Sequence, residues 1–328
     1  MSNNKSETIQ QDILDRIKQL EEKYHAMGQD LKSYLDGLLY ADYLTYWDYI
    51  HLDTLLSLQA PKTQFPDEQI FIIYHQITEL YFKLCLLEFE QLAGNPLLNA
   101  EFLTQRCLRI ARYFDNLTKS FEVMVDGMEP QQFLKFRMSL LPASGFQSAQ
   151  YRMIEICSTD FIHLIAADKR NDFKDPKQAT LSDMFEHVYW KYGATELSTG
   201  KKTLTLKQFE KKYAQTLLKL AQDRISTNLW ALYKSLSAED QERKDLIDAL
   251  KLIDTYVNIN WPLAHYKSAV RYLHKDPADI EATGGTNWQK YLPPRFQKRI
   301  FYPSLWAAEE MENWGKQWVR ATVFGHTS

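Results

Sequence analysis

The chain has 328 residues, 45% hydrophobic and 25% charged, with a net charge of −3 at neutral pH. That balance suits one large globular domain or two small ones, and it gives no electrostatic reason to bind nucleic acid or an anionic membrane surface. No unbroken apolar run approaches the roughly 20 residues that cross a bilayer. The polar start Met1-Ser-Asn-Asn-Lys-Ser-Glu7 lacks a signal-peptide core, and Cys85, Cys107 and Cys157, odd in number and without CxxC spacing, read as reduced core thiols of a cytoplasmic protein.

Glycine is scarce, with eleven in the whole chain, and period-two alternation is almost absent. Apolar stripes at i, i+3, i+4 and i+7 recur instead, which predicts an all-α fold. In chain order the helices are expected over 6–27, 29–38, 45–58, 67–93, 99–126, 129–141, 147–167, 180–190, 204–237, 240–274 and 303–319. The first carries Ile13, Ile17, Leu20 and Tyr24 on one face, so residues 1–40 read as an arm able to exchange between subunits. Residues 41–328 read as a single helical domain without internal repeats.

Pro66 opens the 67–93 helix, with Asp67 and Glu68 suited to the positive end of its dipole. Ile70, Ile73, Ile77, Leu80, Leu84 and Leu87 are expected to form its main core stripe. Phe71, His75, Thr78 and Phe82 form a second face, apolar except for an imidazole and a hydroxyl, as a pocket wall would be. The 129–141 helix ends on Phe136-Arg137-Met-Ser-Leu140, followed by Pro142-Ala-Ser144-Gly-Phe-Gln147. An arginine in so apolar a run is costly unless paired. It serves either an internal ion pair or the bidentate capture of a ligand carboxylate, with Ser144 and Gly145 near enough to offer a hydroxyl or a backbone N–H.

The stretch 168–203 is polar and broken, and reads as surface connections around one short helix. In the 240–274 helix Leu246, Leu250, Ile253, Val257, Trp261 and Ala264/His265 face the core. Pro262 is expected to kink it, and Trp261 and His265 stand one turn apart on one face. The segment 275–303, with Thr283-Gly-Gly-Thr286, is long and irregular, as loops that close over ligands are.

Of eight histidines, His75 and His265 sit in the most apolar surroundings. Each can be a satisfied core residue, a metal ligand or a proton partner. No HExxH motif occurs. Glu22-x-x-His25 and Asp48-x-x-His51 approach a di-iron pattern but lack the further inward glutamates. A haem asks for less, one proximal imidazole and an apolar slot. Nucleophile-elbow, P-loop and dinucleotide fingerprints are missing. A cation, two imidazoles and abundant aromatics together suggest a pocket for a planar, carboxylated ligand.

Five blocks carry a wider likeness: Thr45-Tyr-Trp-Asp-Tyr-Ile-His-Leu-Asp-Thr-Leu-Leu-Ser-Leu-Gln59, the run Asp67 to Leu80, the run Phe136-Arg137 to Gln147, Trp261-x-x-x-His265, and Thr283-Gly-Gly. In this order, from about residue 40 to 310, the chain resembles the tryptophan 2,3-dioxygenase family. The resemblance implies an all-helical enzyme carrying haem b (iron protoporphyrin IX), usually a homotetramer. It would insert O2 into the indole 2,3 bond of L-tryptophan to give N-formylkynurenine, the first step of tryptophan catabolism.

By the same resemblance His265 matches the proximal iron ligand, with Trp261 beside the cofactor. His75 matches the distal catalytic histidine that meets the indole N–H. Arg137 matches the grip on the substrate carboxylate and Thr283 the contact to the amino-acid head group. Phe71, Leu140 and Ser144 match pocket-lining positions, and Tyr46, Tyr49 and Ile50 match residues that enter a neighbouring subunit's pocket. The chain departs from the family at Phe133, where some members carry tyrosine, at Ala282, where glycine is common, and at Pro262, where a basic residue is usual. A haem-dependent aromatic monooxygenase of the same superfamily and a non-catalytic haem- and tryptophan-binding sensor are the alternative functions.

Overall fold

A computed structural model describes residues 2–42, 44–140, 142–173, 180–195, 201–272, 294 and 298–315, with side chains from residue 10 onward. Among the described residues every element longer than an isolated bridge is helical, so the fold is all-α as expected. The chain forms two compact units, residues 1–59 and 60–328.

The first unit holds α1 (Ser2–Ala26), α2 (Leu31–Leu39), α3 (Tyr46–Tyr49) and α4 (Leu52–Leu56). Asp30 caps α2 by accepting from the backbone N–H groups of Lys32 and Ser33. The helix expected over 45–58 is broken at His51, whose φ of 51° is left-handed and ends one helix before the next begins. No described side chain of this unit is buried, and Ile13, Leu20, Leu38, Leu39 and Trp47 are exposed. The unit therefore has apolar faces without a core of its own.

The second unit contains α5 (Pro66–Ala93), α6 (Ala100–Ser120), α7 (Glu122–Val125), α8 (Pro130–Phe136), α9 (Ala149–Ser158), α10 (Leu181–Glu186), α11 (Tyr189–Gly193), α12 (Leu204–Asp223), α13 (Leu229–Ser235), α14 (Ala238–Gln241), α15 (Lys244–Thr255) and α16 (Trp261–Tyr272). At the centre lies α6, packed between α5 and α15, while α9 joins α5 to α12. Asn99 caps α6 by accepting from Phe102 N–H at 2.8 Å. Its Leu103, Cys107, Ile110, Phe114 and Leu117 follow one helical stripe and are fully buried.

The inward face of α5 corrects the expectation. Tyr74, Thr78, Phe82, Cys85, Phe89 and Leu92 face the core, whereas Ile73, Ile77, Leu80, Leu84 and Leu87 are 39–53% exposed and Ile70 is half-buried. Glu88 shows why. This buried acid pairs with Arg106 at 3.1 Å and Arg109 at 2.8 Å on α6, and Tyr113 donates to it. An apolar helix leaves its orientation open, and a buried carboxylate with two cationic partners fixes it. The length and mean hydropathy of α5 are also those of a bilayer-crossing helix. Its ion-paired acid and its packing on α6 and α9 are those of a core helix.

The kink expected at Pro262 is resolved one turn earlier, as a π turn over Tyr256–Asn260 between α15 and α16. Trp261 N–H donates to Tyr256 O, five residues back. Pro262 follows the π turn directly and has no N–H to give to the carbonyls one turn back; one of these, Val257 O, accepts from Tyr151 Oη at 2.9 Å instead. The helix expected over 129–141 continues from α8 as a 3-10 turn, Arg137–Leu140. That expected over 303–319 is a 3-10 turn at Pro303–Leu305 and a short helix at Ala308–Glu312, with the remainder beyond residue 315 outside the described residues.

Candidate functional site

His75 projects from α5 with its ring against Phe71, the centroids 4.1 Å apart. Its Nδ1 lies 2.7 Å from the Phe71 carbonyl. A carbonyl only accepts, so Nδ1 carries the proton and Nε2 keeps a lone pair that can accept. Burial pushes the His75 pKa below its ordinary value, against the opposing pull of the Phe71 carbonyl and Glu79. Glu79 is itself held by Gln150 Nε2 at 2.8 Å.

Phe71 also meets Phe136 at 5.9 Å and Phe133 at 6.4 Å, which brings the end of α8 beside His75. Arg137 and Leu140 follow on the 3-10 turn, both half-buried. Burial alone lowers the Arg137 pKa. The following loop is anchored at both ends. Ser144 N–H donates to Gln147 Oε1 at 3.2 Å, Gln147 Nε2 donates to Thr205 O at 3.3 Å, and Thr205 Oγ1 donates to Pro142 O at 3.1 Å. Ser144 and Gly145 are thus fixed against the start of α12 rather than left as a loose turn.

His265 opens the second turn of α16. Its ring packs on Phe121 at 4.6 Å and edge-on to Trp261 at 5.0 Å. Trp261 is wedged in turn between Phe121 and Phe82. Burial pushes the His265 pKa down to about 4, and the nearby His75 adds to the effect. Both imidazoles therefore stay neutral at neutral pH and share one electrostatic environment. Across from His265 is Gly145, where a Cβ would stand 3.9 Å from Nε2.

This donor set fits a haem. A neutral imidazole in an aromatic setting offers one nitrogen to iron, and no three metal-ligating side chains gather among the described residues to hold a bare ion. A porphyrin beside Nε2 needs about 2 Å to the metal and roughly 3.5 Å more to the next carbon. Gly145 lacks the side chain that would stand in that space, 3.9 Å from Nε2.

Five of the expected site residues, Phe71, His75, Arg137, Leu140 and Ser144, come from α5, the 3-10 turn after α8 and the loop that follows it, while Trp261 and His265 come from α16. Tyr46, Tyr49 and Ile50 lie in the N-terminal unit, 71%, 74% and 36% exposed. Thr283 lies outside the described residues. Sequence reasoning missed Phe121, the ring closest to His265, because it falls at the break between α6 and α7 inside what reads as one continuous helix.

A profile of tryptophan 2,3-dioxygenase sequences matches residues 37–187. The tryptophan 2,3-dioxygenase of Herpetosiphon aurantiacus is 31% identical over 275 residues, covering 80% of this chain and 96% of that protein. The chain belongs to the tryptophan 2,3-dioxygenase family. A Polaromonas family member is 28% identical over 294 residues, 84% of this chain and 90% of its own length. One from a Ruegeria species reaches 42% identity over 118 residues, so that the match spans 35% of this chain and 42% of the relative. Within the family profile fall Phe71, His75, Arg137, Leu140 and Ser144, while Trp261, His265 and Thr283 lie beyond its match.

Proposed function

We propose that the chain is a haem-dependent tryptophan 2,3-dioxygenase, converting L-tryptophan and O2 to N-formylkynurenine. The observation that carries the reading is the neutral His265 imidazole facing a glycine in an aromatic setting beside His75, in a member of this family. His265 would hold haem b through Nε2, steadied by Trp261 and Phe121. Bound there, the haem supplies O2 binding and the oxygen chemistry.

The remaining work falls to side chains that place the substrate. His75 Nε2, with its proton kept on Nδ1 by Phe71, accepts the indole N–H. The indole carbons are already electron-rich, so a hydrogen-bond acceptor suffices there and a strong base is not needed. Arg137 holds the substrate carboxylate with its planar fork. Phe71 and Leu140 flank the ring, and Ser144 and Thr283 meet its polar end. Fixing both ends of tryptophan puts the 2,3 bond in one place, which is where positional catalysis lies. Tyr46, Tyr49 and Ile50 would enter a neighbouring copy's site in a homotetramer, in the cytoplasm.

The test is anaerobic reduction with haem, addition of tryptophan, then exposure to labelled O2. A product gaining both oxygen atoms with the ring opened supports the reading. One atom gained points to a monooxygenase, a tryptophan-dependent spectral shift without O2 uptake to a sensor, and a colourless protein overturns it. His265→Ala should abolish haem retention.

A further inference from the structure

Asp254 closes the last turn of α15 and is fully buried. Its Oδ1 accepts from Asn258 Nδ2 at 2.7 Å and from Phe301 N–H at 3.0 Å. Its Oδ2 accepts from Tyr302 N–H at 3.2 Å and from Trp306 Nε1 at 2.9 Å, and lies 3.1 Å from Phe301 N. No Lys or Arg pairs with it among the described residues, and burial pushes its carboxyl up to about 6 despite these donors. A buried carboxylate without a cation is costly. Packing alone would be served as well by an uncharged side chain of the same size, so the carboxylate must be doing something only its several lone pairs can do.

It ties together three pieces of chain. The first is the π turn Tyr256–Asn260, whose Asn258 it holds. The others are the backbone at 301–302 and the indole of Trp306. Trp306 packs on Trp314 at 5.0 Å. Together with Met311 it covers a small second core of Ile259, Leu263, Ile300 and Trp314. Leu263 is two residues, about 200° of helix, from His265, so this core sits behind α16 and the imidazole points away from it.

The π turn also sets the direction of His265. One residue added to a helix turns everything after it by about 100°. Were Tyr256–Asn260 to relax to an ordinary α-turn, α16 would rotate by that angle and His265 would leave the side facing Gly145. Its ring contacts are with Phe121 and Trp261, and Trp261 would turn with it.

We propose that Asp254 is a positioning residue for His265, locking the π turn through Asn258 and clamping residues 300–306 behind α16 so that the imidazole faces the haem slot. This rests on the haem reading above. The test compares Asp254→Asn with Asn258→Ala, which removes the bond to the π turn and leaves the carboxylate's other donors in place. Both are reconstituted with haem and followed by the ferrous iron–histidine stretching band and by haem transfer to apomyoglobin. Amide exchange at Phe301 and Tyr302 is measured in the apo-proteins. Asn258→Ala should fold with a wild-type far-ultraviolet spectrum, shift or split the iron–histidine band, and release haem at least tenfold faster. Asp254→Asn should do the same and also expose the Phe301 and Tyr302 amides to faster exchange. If Asp254→Asn does not fold, Asn258→Ala decides. Wild-type protein with the band and a folded Asn258→Ala indistinguishable from it overturns the positioning role alone. Wild-type protein that takes up no haem overturns the parent reading and this one with it.

Discussion

Gly145→Ala separates the fold from the cofactor slot. The glycine opens a 3-10 turn, is exposed, and has no positive φ, so its backbone suits alanine. The new methyl would meet His265 Nε2 at 3.9 Å, an ordinary van der Waals contact. The apo-protein should therefore fold normally. Its stability should be unchanged or raised by up to about 1 kcal/mol, since alanine has less freedom to lose than glycine. Haem changes the balance. Iron and a porphyrin plane beside Nε2 need roughly 5.5 Å to the next carbon, so the methyl intrudes by about 1.5 Å. Overfilling a packed site by one methyl costs about 1–3 kcal/mol, which corresponds to roughly 5- to 150-fold weaker binding. The assay is titration of apo-protein with haemin at the Soret band, alongside urea unfolding of the same preparation. A folded Gly145→Ala protein that binds haemin as tightly as wild type refutes the placement of haem between His265 and Gly145. A large loss of apo stability refutes the contact geometry.

Other substitutions read the substrate end. His75→Ala should retain haem and lose one hydrogen bond to the indole, about 0.5–1.5 kcal/mol, seen as a two- to tenfold fall in kcat/KM. 1-Methyltryptophan, which lacks the N–H, should be insensitive to the change, and equal losses on both substrates would count against the contact. Arg137→Ala should raise KM for tryptophan by roughly 10- to 150-fold through loss of a charge-assisted pair worth about 1.5–3 kcal/mol. Binding of tryptamine, without the carboxylate, should hardly change. Stability of the apo-protein should fall with acid. Burial holds both His163 and His265 down to about 4, so their contribution is present above the unfolded value near 6.5 and is lost as pH falls toward 4, on the order of 3 kcal/mol each. Urea unfolding at pH 7 and 4.5 should therefore show a smaller loss in His163→Gln than in wild type, and equal losses would remove His163 from the account.

What the sequence makes legible is whatever lies within one helix or one turn. The Phe71–His75 and Trp261–His265 pairs each stand at helical spacing, and in both the rings meet. The inward side of α5 is not legible, because isoleucines and leucines surround the helix and the deciding group, Glu88, finds its cations 18 and 21 residues later on α6. The left-handed His51 leaves no mark in hydropathy. Pro262 announces a disturbance, but the form it takes depends on Asp254 and on donors 47 and 48 residues downstream. The same division runs through the site. Which residues belong to it can be read from short blocks, because chemistry needs particular side chains. Where His265 points depends on long-range bonds between neutral donors and one buried carboxylate, and no local pattern carries that information. Substitutions at Asn258 or Asp254 should therefore disturb the iron ligand more than their distance from the pocket along the chain suggests.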